Sequence, residues 1–343
     1  MKVLVTASGG ALAPANIMLL RNGRRHCRIL AVDARGDAVG RHFADEFAVV
    51  PSGDDPAYVD AVIDLVRARH VDVVLPWSDE EALALASRRD EVAAAGAALP
   101  IAATGTLLAM NDKATTYRLL AEAGVATAFW RQVDDAGSLR GTLAELRAEH
   151  GEAVVKPVVS RGNRGTYVIR PDMAEPEAYQ GSRELHLGWD DFERFHLAEV
   201  VDRLPVIVME RLFEPALDID VLAHRGSLVH AVPRERVNPA GVPFRGSIFR
   251  SAPAFLDLAE TVTRVLDLSW LYDYDVLHTR KGVPVILEVN PRPSGSIAAS
   301  IANGIPLYDD LFDLVEGRAV SPAPHPPDGT LSIPYLAIHT ATR

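Results

Sequence analysis

The spacing of hydrophobic positions changes along the chain. Short apolar runs at Val3–Thr6, Arg28–Val32 and Val71–Leu75 alternate with helical patterns at Pro14–Leu20, Ala57–Arg69 and Glu80–Ala95. Strands covered on both faces read as continuous apolar runs, and strand–helix alternation predicts a parallel, doubly wound sheet. Ligands of such sheets sit beyond the carboxyl ends of the strands, here Thr6–Gly10, Asp33 and Pro76–Glu80. A helical run then covers Lys113–Ala123, with Asn111 as its expected N-cap. Strand signals follow at Thr127–Val133 and Ala153–Val159, and the turn Arg161–Gly165 leads into Thr166–Ile169. Residues 171–205 are polar and poorly periodic until a helical run at Phe192–Val201. The last third reads as strands at Val206–Met209, Ile219–Ala223, Ser227–Val232, Tyr274–Thr279 and Val283–Val289, with one helix at Leu256–Leu266. The pattern predicts an α/β domain over 1–100, a small α+β lobe over 101–205 and a strand-rich C-terminal lobe over 206–343.

Composition narrows the classes of function. The formal charge of −11 removes any general cationic footprint for nucleic acid or an anionic membrane. The single cysteine, Cys27, cannot form an intramolecular disulfide and argues against a cysteine-based zinc site. Val3–Thr6 reads as a first strand rather than a leader, because Gly9-Gly10 breaks the apolar run. No apolar run approaches the ~20 residues of a membrane span. The expectation is a cytoplasmic protein. Of 35 basic residues only Lys2, Lys113, Lys156 and Lys281 are lysines. In a chain that uses arginine by default, each lysine asks for a reason.

The segment YDYDVLHTRKGVPVILEVNPR, residues 272–292, carries the chemistry. With Lys281-Gly282 as a two-residue turn, Asp275 faces Glu288 and Asp273 faces Asn290. Alternation then puts Asp273, Asp275, Glu288 and Asn290 on one face, and Tyr274, Val276, Val285, Leu287 and Val289 on a core face. Directly opposed carboxylates destabilise an antiparallel pair unless a cation or water relieves them. Two carboxylates and an amide oxygen are hard ligands suited to Mg²⁺ held largely by substrate phosphates. The hairpin by itself leaves a metal site and a solvated acidic edge both open.

A magnesium site of this kind calls for phosphates, and no Walker-type loop is present. Lys113 opens a helix, and Lys156 interrupts the Val-rich strand AVVKPVV just before a turn containing Gly162 and Gly165. Each is a candidate phosphate contact; an edge-strand guard is the plainer reading of Lys156. The run VIVMERLF (206–213) is an apolar strand whose end is a candidate for a flat slot with backbone donors and acceptors at its rim; a strand simply reaching the surface is the plainer reading.

In their order, Lys113, Lys156-Pro157 with its glycine turn, Met209–Phe213 and the EVNPRPSGS run at 288–296 resemble the ATP-grasp superfamily, in its carbamoyl-phosphate-synthetase-like branch. The resemblance covers nearly the whole chain. It implies an α/β pre-ATP-grasp (Rossmann-like) domain followed by α+β ATP-grasp lobes. It also implies an ATP-dependent carboxylate–amine ligase working through an acyl phosphate. By resemblance, Lys113, Lys156, Gly162 and Gly165 would meet the ATP phosphates. Glu210, Arg211, Leu212 and Phe213 would hold the base, and Asp218 or Glu214 the ribose. Asp275, Glu288 and Asn290 would hold Mg²⁺, with Mn²⁺ as an alternative ion. Arg292 would steady the transferring group, and Arg234, Arg236 and Arg245 are candidates to clamp the carboxylate. The implied partners are ATP, a small carboxylate and an amine; a homodimer is one possible assembly. PALDID at 215–220 departs from the family pattern around the ribose acid. Two rivals stand beside this reading. One is a nicotinamide-dependent oxidoreductase, from TASGG and Asp33; the other is a nucleotide-binding protein without turnover.

Overall fold

The structure is a computed structural model that describes residues 1–160, 164–173, 175–178, 184–238, 244–321, 323–335 and 338–340. Its first sheet contains β1 (Lys2–Val5), β2 (Arg28–Asp33), β3 (Glu46–Val49) and β4 (Val73–Leu75), all parallel in the order β3-β2-β1-β4. Helices Ala13–Asn22 and Tyr58–Arg69 make the crossovers. Val3, Leu4 and Val5 are fully buried, as a strand covered on both faces requires. β3 is not among the strands predicted from the sequence; it is four residues long and none of them is buried. The helical pattern predicted over Glu80–Ala95 is two helices, Asp79–Ser87 and Arg89–Ala94, broken at Arg88.

The second sheet holds β5 (Trp130–Val133), β6 (Ala153–Pro157), β7 (Thr166–Ile169), β8 (Glu177–Ala178), β9 (Glu184–Leu187) and β10 (Val206–Met209), in the order β5-β10-β6-β7-β9-β8. β10, assigned by sequence to the C-terminal lobe, lies between β5 and β6 in this second sheet. A core of Leu139, Leu146, Ile169, Leu187 and Phe192 backs it.

The third sheet holds β11 (Phe213–His224), β12 (Ser227–Arg236), β13 (Ser247–Phe249), β14 (Trp270–His278), β15 (Pro284–Asn290) and β16 (Leu331–Ser332), in the order β15-β14-β11-β12-β13-β16. One apolar core runs from Leu30 and Val74 of the first sheet to Val221, Tyr274 and Val289 of the third. This continuity seats the first and third sheets against each other and fixes the cleft between them and the second sheet. Helix Lys113–Glu122 is capped by Asp112, whose carboxylate accepts from Thr115 N at 2.9 Å. The expected cap, Asn111, instead ends the preceding helix, Thr104–Asn111. Among the described residues no helix is long and apolar enough to cross a membrane.

Candidate active site

The β14–β15 hairpin places the acids as expected, by an unexpected route. The turn has three residues, not two. Gly282 N donates to Thr279 O at 2.8 Å, Thr279 N donates to Val283 O at 2.9 Å, and Gly282 sits at φ +77°. This is a type I turn closed by a left-handed glycine. By itself it would shift the register by one, and His278 does pair with Pro284 and Val276 with Ile286. A bulge at Leu287 then restores the shift, so that Asp275 faces Glu288 and Asp273 faces Asn290. The core-face assignment fails where the bulge intervenes. Val285 packs with Tyr117 and Met209, and Leu287 lines the same cleft as Glu288.

The row of acids is wider than the hairpin. Asp218 on β11 faces Asp275 from the other side, and Asp220 faces Asp273. Asp218, Asp273 and Asp275 each present an oxygen within 4.8 Å of the others. Arginines answer this charge. Arg236 reaches both Asp218, through Nε at 2.8 Å, and Asp275 through Nη2. Arg292 Nη1 lies 3.3 Å from Asp273 Oδ2, and its Nε lies 3.2 Å from Asp79 Oδ1, on the first helix after β4. Burial pushes the Asp275 carboxyl up to about 7, with Asp218 and Glu288 adding to it against the pull of Arg236. Burial and the neighbouring Asp218 and Asp275 also raise Asp273 well above the usual range. Asp218 is held below its ordinary value: burial pushes it up, but Arg236 and Arg234 outweigh that.

The fit to a divalent cation can be judged on these residues. Asp275, Glu288 and Asn290 offer hard oxygen donors on adjacent register positions of β14 and β15. Asp275 is costly to ionise unless a cation compensates it, and Asp273 Oδ1 is buried without a hydrogen-bond partner. The donor set suits Mg²⁺ or Mn²⁺.

Both candidate phosphate lysines point into the same cleft. Lys113 Nζ lies 2.9 Å from Glu288 Oε1 and donates to Ser160 O at 2.5 Å. Lys156 is buried and donates from Nζ to the Tyr117 hydroxyl at 2.8 Å. Burial lowers the Lys156 pKa to about 8, opposed by Glu288, Glu184 and Asp275. Gly165 takes φ +75° beside Pro157, a conformation that favours glycine. Gly162 lies outside the described residues.

An apolar slot adjoins the lysines. Val154, Val168, Met209, Leu212, Leu277 and Leu287 line it, and Glu210, Phe213 and Glu214 stand at its edge. Glu210 is tied to Phe129, accepting from Phe129 N at 2.8 Å and donating its own N–H to Phe129 O. Arg211 pairs with Glu152 at 3.3 Å and stacks over Phe213. Of the two ribose candidates, Glu214 lines the cleft, whereas Asp218 is buried in the acid row. Sequence reading missed Glu184 and His186, which β9 brings into the cleft from the polar stretch after residue 171. Its run ELHL does alternate, but it is only four residues long inside a polar stretch.

The remaining candidates separate. Arg234 is fully buried, and its fork serves the protein: Nε to Asp220 at 2.9 Å, Nη1 to Ser247 and Ser296, Nη2 to Ser294. The Ser294 hydroxyl thus accepts from Arg234, and the helix that follows is Ala298–Ala302. Arg245 is exposed, away from the acid row.

A family model described as "ATP-grasp in the biosynthetic pathway with Ter operon" matches residues 202–337, and one described as "PylC-like, N-terminal domain" matches residues 4–99. The uncharacterized protein y4rH of Sinorhizobium fredii is 28% identical over 189 residues, covering 54% of this chain and 37% of that protein. The match therefore spans little more than a third of that relative. N5-carboxyaminoimidazole synthetase from Staphylococcus aureus superposes with a TM-score of 0.67 at 12% identity, covering 97% of this chain and 79% of the other. The biotin carboxylase domain of Hydrogenobacter thermophilus 2-oxoglutarate carboxylase, solved with MgADP, gives 0.67 at 14%, covering 94% and 71%. An L-amino acid ligase from Bacillus licheniformis gives 0.61 at 14%, covering 91% and 73%. At these identities the structural likenesses show a shared fold.

Proposed function

Because the chain belongs to the ATP-grasp superfamily, with a PylC-like N-terminal domain, we propose that it is an ATP-dependent carboxylate–amine ligase. The observation that carries the reading is the convergence of Lys113, Lys156 and Glu288 on one cleft that continues into an apolar slot. Cations for phosphates, an acid for their counter-ion and a flat apolar wall for a base meet there.

In this reading the slot between Val168, Met209 and Leu287 takes adenine, with backbone groups near Leu212 at its rim and Glu214 toward the ribose. Lys113 and Lys156 take the phosphates. Asp275, Glu288 and Asn290 hold the divalent ion, which supplies charge neutralisation at the phosphates. A substrate carboxylate oxygen attacks the γ-phosphorus as the bond to the bridging oxygen of ADP breaks. The chain's part is positioning and electrostatics. Arg292, steadied by Asp79 and Asp273, faces the charge of the transferred group. Arg236 is placed to turn from Asp275 to the acyl phosphate. An amine nitrogen then attacks the acyl carbon, phosphate leaves and the amine proton passes to solvent. Arg234 acts at one remove, holding Ser294, Ser296 and Asp220 in place.

The nicotinamide reading draws no support from the first sheet. Asp33 Oδ2 accepts from Gly9 N at 2.7 Å and Oδ1 from Arg35 N at 2.9 Å, so the acid that ends β2 ties the turn after β1 to its own loop. The test is a screen of carboxylates and amines with ATP and Mg²⁺, scored by ADP release and product mass. ADP release that needs both substrates supports the ligase. ATP binding with no turnover under any pair favours the binding protein instead.

A further inference from the structure

Helix Lys113–Glu122 delivers two side chains to the cleft. Lys113 and Tyr117 are four residues apart and share one helix face. Lys113 meets Glu288, and Tyr117 meets its neighbour: the Tyr117 hydroxyl donates to the carbonyl of Leu287 at 2.6 Å. That donation uses the only proton of the hydroxyl, so toward Lys156 the oxygen can act only as acceptor, and Lys156 Nζ lies 2.8 Å away. The tyrosine ring is 2% exposed and packs edge-on against Trp130, with centroids 5.5 Å apart. Its position therefore follows the packing of the helix, not the ligand.

We propose that Tyr117 is a positioning residue: anchored on the Leu287 carbonyl, its hydroxyl holds the Lys156 ammonium at the phosphate end of the cleft and ties the second sheet to β15 beside Glu288. The inference rests on the ATP reading of this cleft. Lys156 belongs to β6 and Leu287 to β15, so one oxygen links two sheets that share no strand pairing. The carbonyl it uses is that of the bulge residue, which the bulge frees from regular ladder pairing with β14. A lysine on a flexible four-carbon stem, buried in a Val-rich strand, needs such a partner to keep its charge aimed. If the tyrosine were filler, phenylalanine would serve equally.

The experiment compares Tyr117→Phe, Lys156→Ala and the double variant in the full chain, by calorimetric binding of Mg²⁺–AMP-PNP and of adenosine. Loss of a hydrogen bond to a charged group predicts about tenfold weaker AMP-PNP binding for Tyr117→Phe. Adenosine binding should stay unchanged. In the Lys156→Ala background the same substitution should cost less than about twofold, because the tyrosine acts through the lysine. A second readout is the pH dependence of Lys156 acylation, followed by peptide mass spectrometry. Its midpoint should fall in Tyr117→Phe, since the group that accepts from the ammonium is gone; a packing role would leave it in place. Equal AMP-PNP affinities of wild type and Tyr117→Phe, or the same loss with and without Lys156, overturn the inference while leaving the ATP reading intact. A wild-type protein that binds neither probe overturns both.

Discussion

Glu288→Gln tests the site most directly, because it removes one charge and keeps the shape. In the nucleotide-free protein Glu288 has two opposed interactions. Its attraction to Lys113 at 2.9 Å is worth about 6 kcal/mol at an effective dielectric of about 20. Its repulsion with Asp275, directly across the ladder at roughly 5 Å between Cβ atoms, is about 3 kcal/mol on the same scale. The difference is about 3 kcal/mol in favour of the ion pair, and Lys113 keeps the Ser160 carbonyl, so the measured stability should fall by no more than about 3 kcal/mol. Turnover has no such compensation, because Glu288 would be a ligand of the divalent ion that neutralises the phosphate charge. The expected loss in kcat is at least about 10³-fold. Phosphate release measured beside urea unfolding separates the effects. Phosphate release within tenfold of wild type, in a variant that folds, would refute the assignment of Glu288 and with it the metal site.

Further outcomes follow from the same geometry. Asp275 has a folded pKa above its unfolded value, so the metal-free protein loses stability as pH rises through about 7; Asp275→Asn should remove that slope and gain on the order of 2 kcal/mol over wild type between pH 5 and 8, read by urea unfolding in EDTA, while losing ATP turnover. Lys156, lowered to about 8 by burial, should give kcat/KM for ATP a limb that falls above pH 8, and Lys156→Arg should abolish that limb. Asp79→Ala frees Arg292 Nε and should lower kcat about tenfold with KM for ATP unchanged; steady-state kinetics with the two arms moving together would count against it.

The sequence by itself determined the order of elements and much of the cleft. The switch from strand–helix alternation to a strand-rich tail predicted three of the four strands of the first sheet and most of the third, because apolar period reports burial directly. Scarce lysines and the EVNPR run singled out Lys113, Lys156 and Glu288, which the structure gathers into one cleft. The facing of Asp275 and Glu288 came out correctly for a reason the chain did not display: a longer turn and a bulge cancel. Both depend on how β14 and β15 pack against their neighbours, and local turn residues cannot report that. The partners of Tyr117 lie 39 and 170 residues away. Asp218 reaches Asp275 only through the pairing of β11 with β14, and Glu184 enters through a four-residue strand set in a polar stretch. Those contacts were decided by tertiary structure, because side-chain partners across separate sheets follow from how the sheets stack, and no spacing along one segment encodes that.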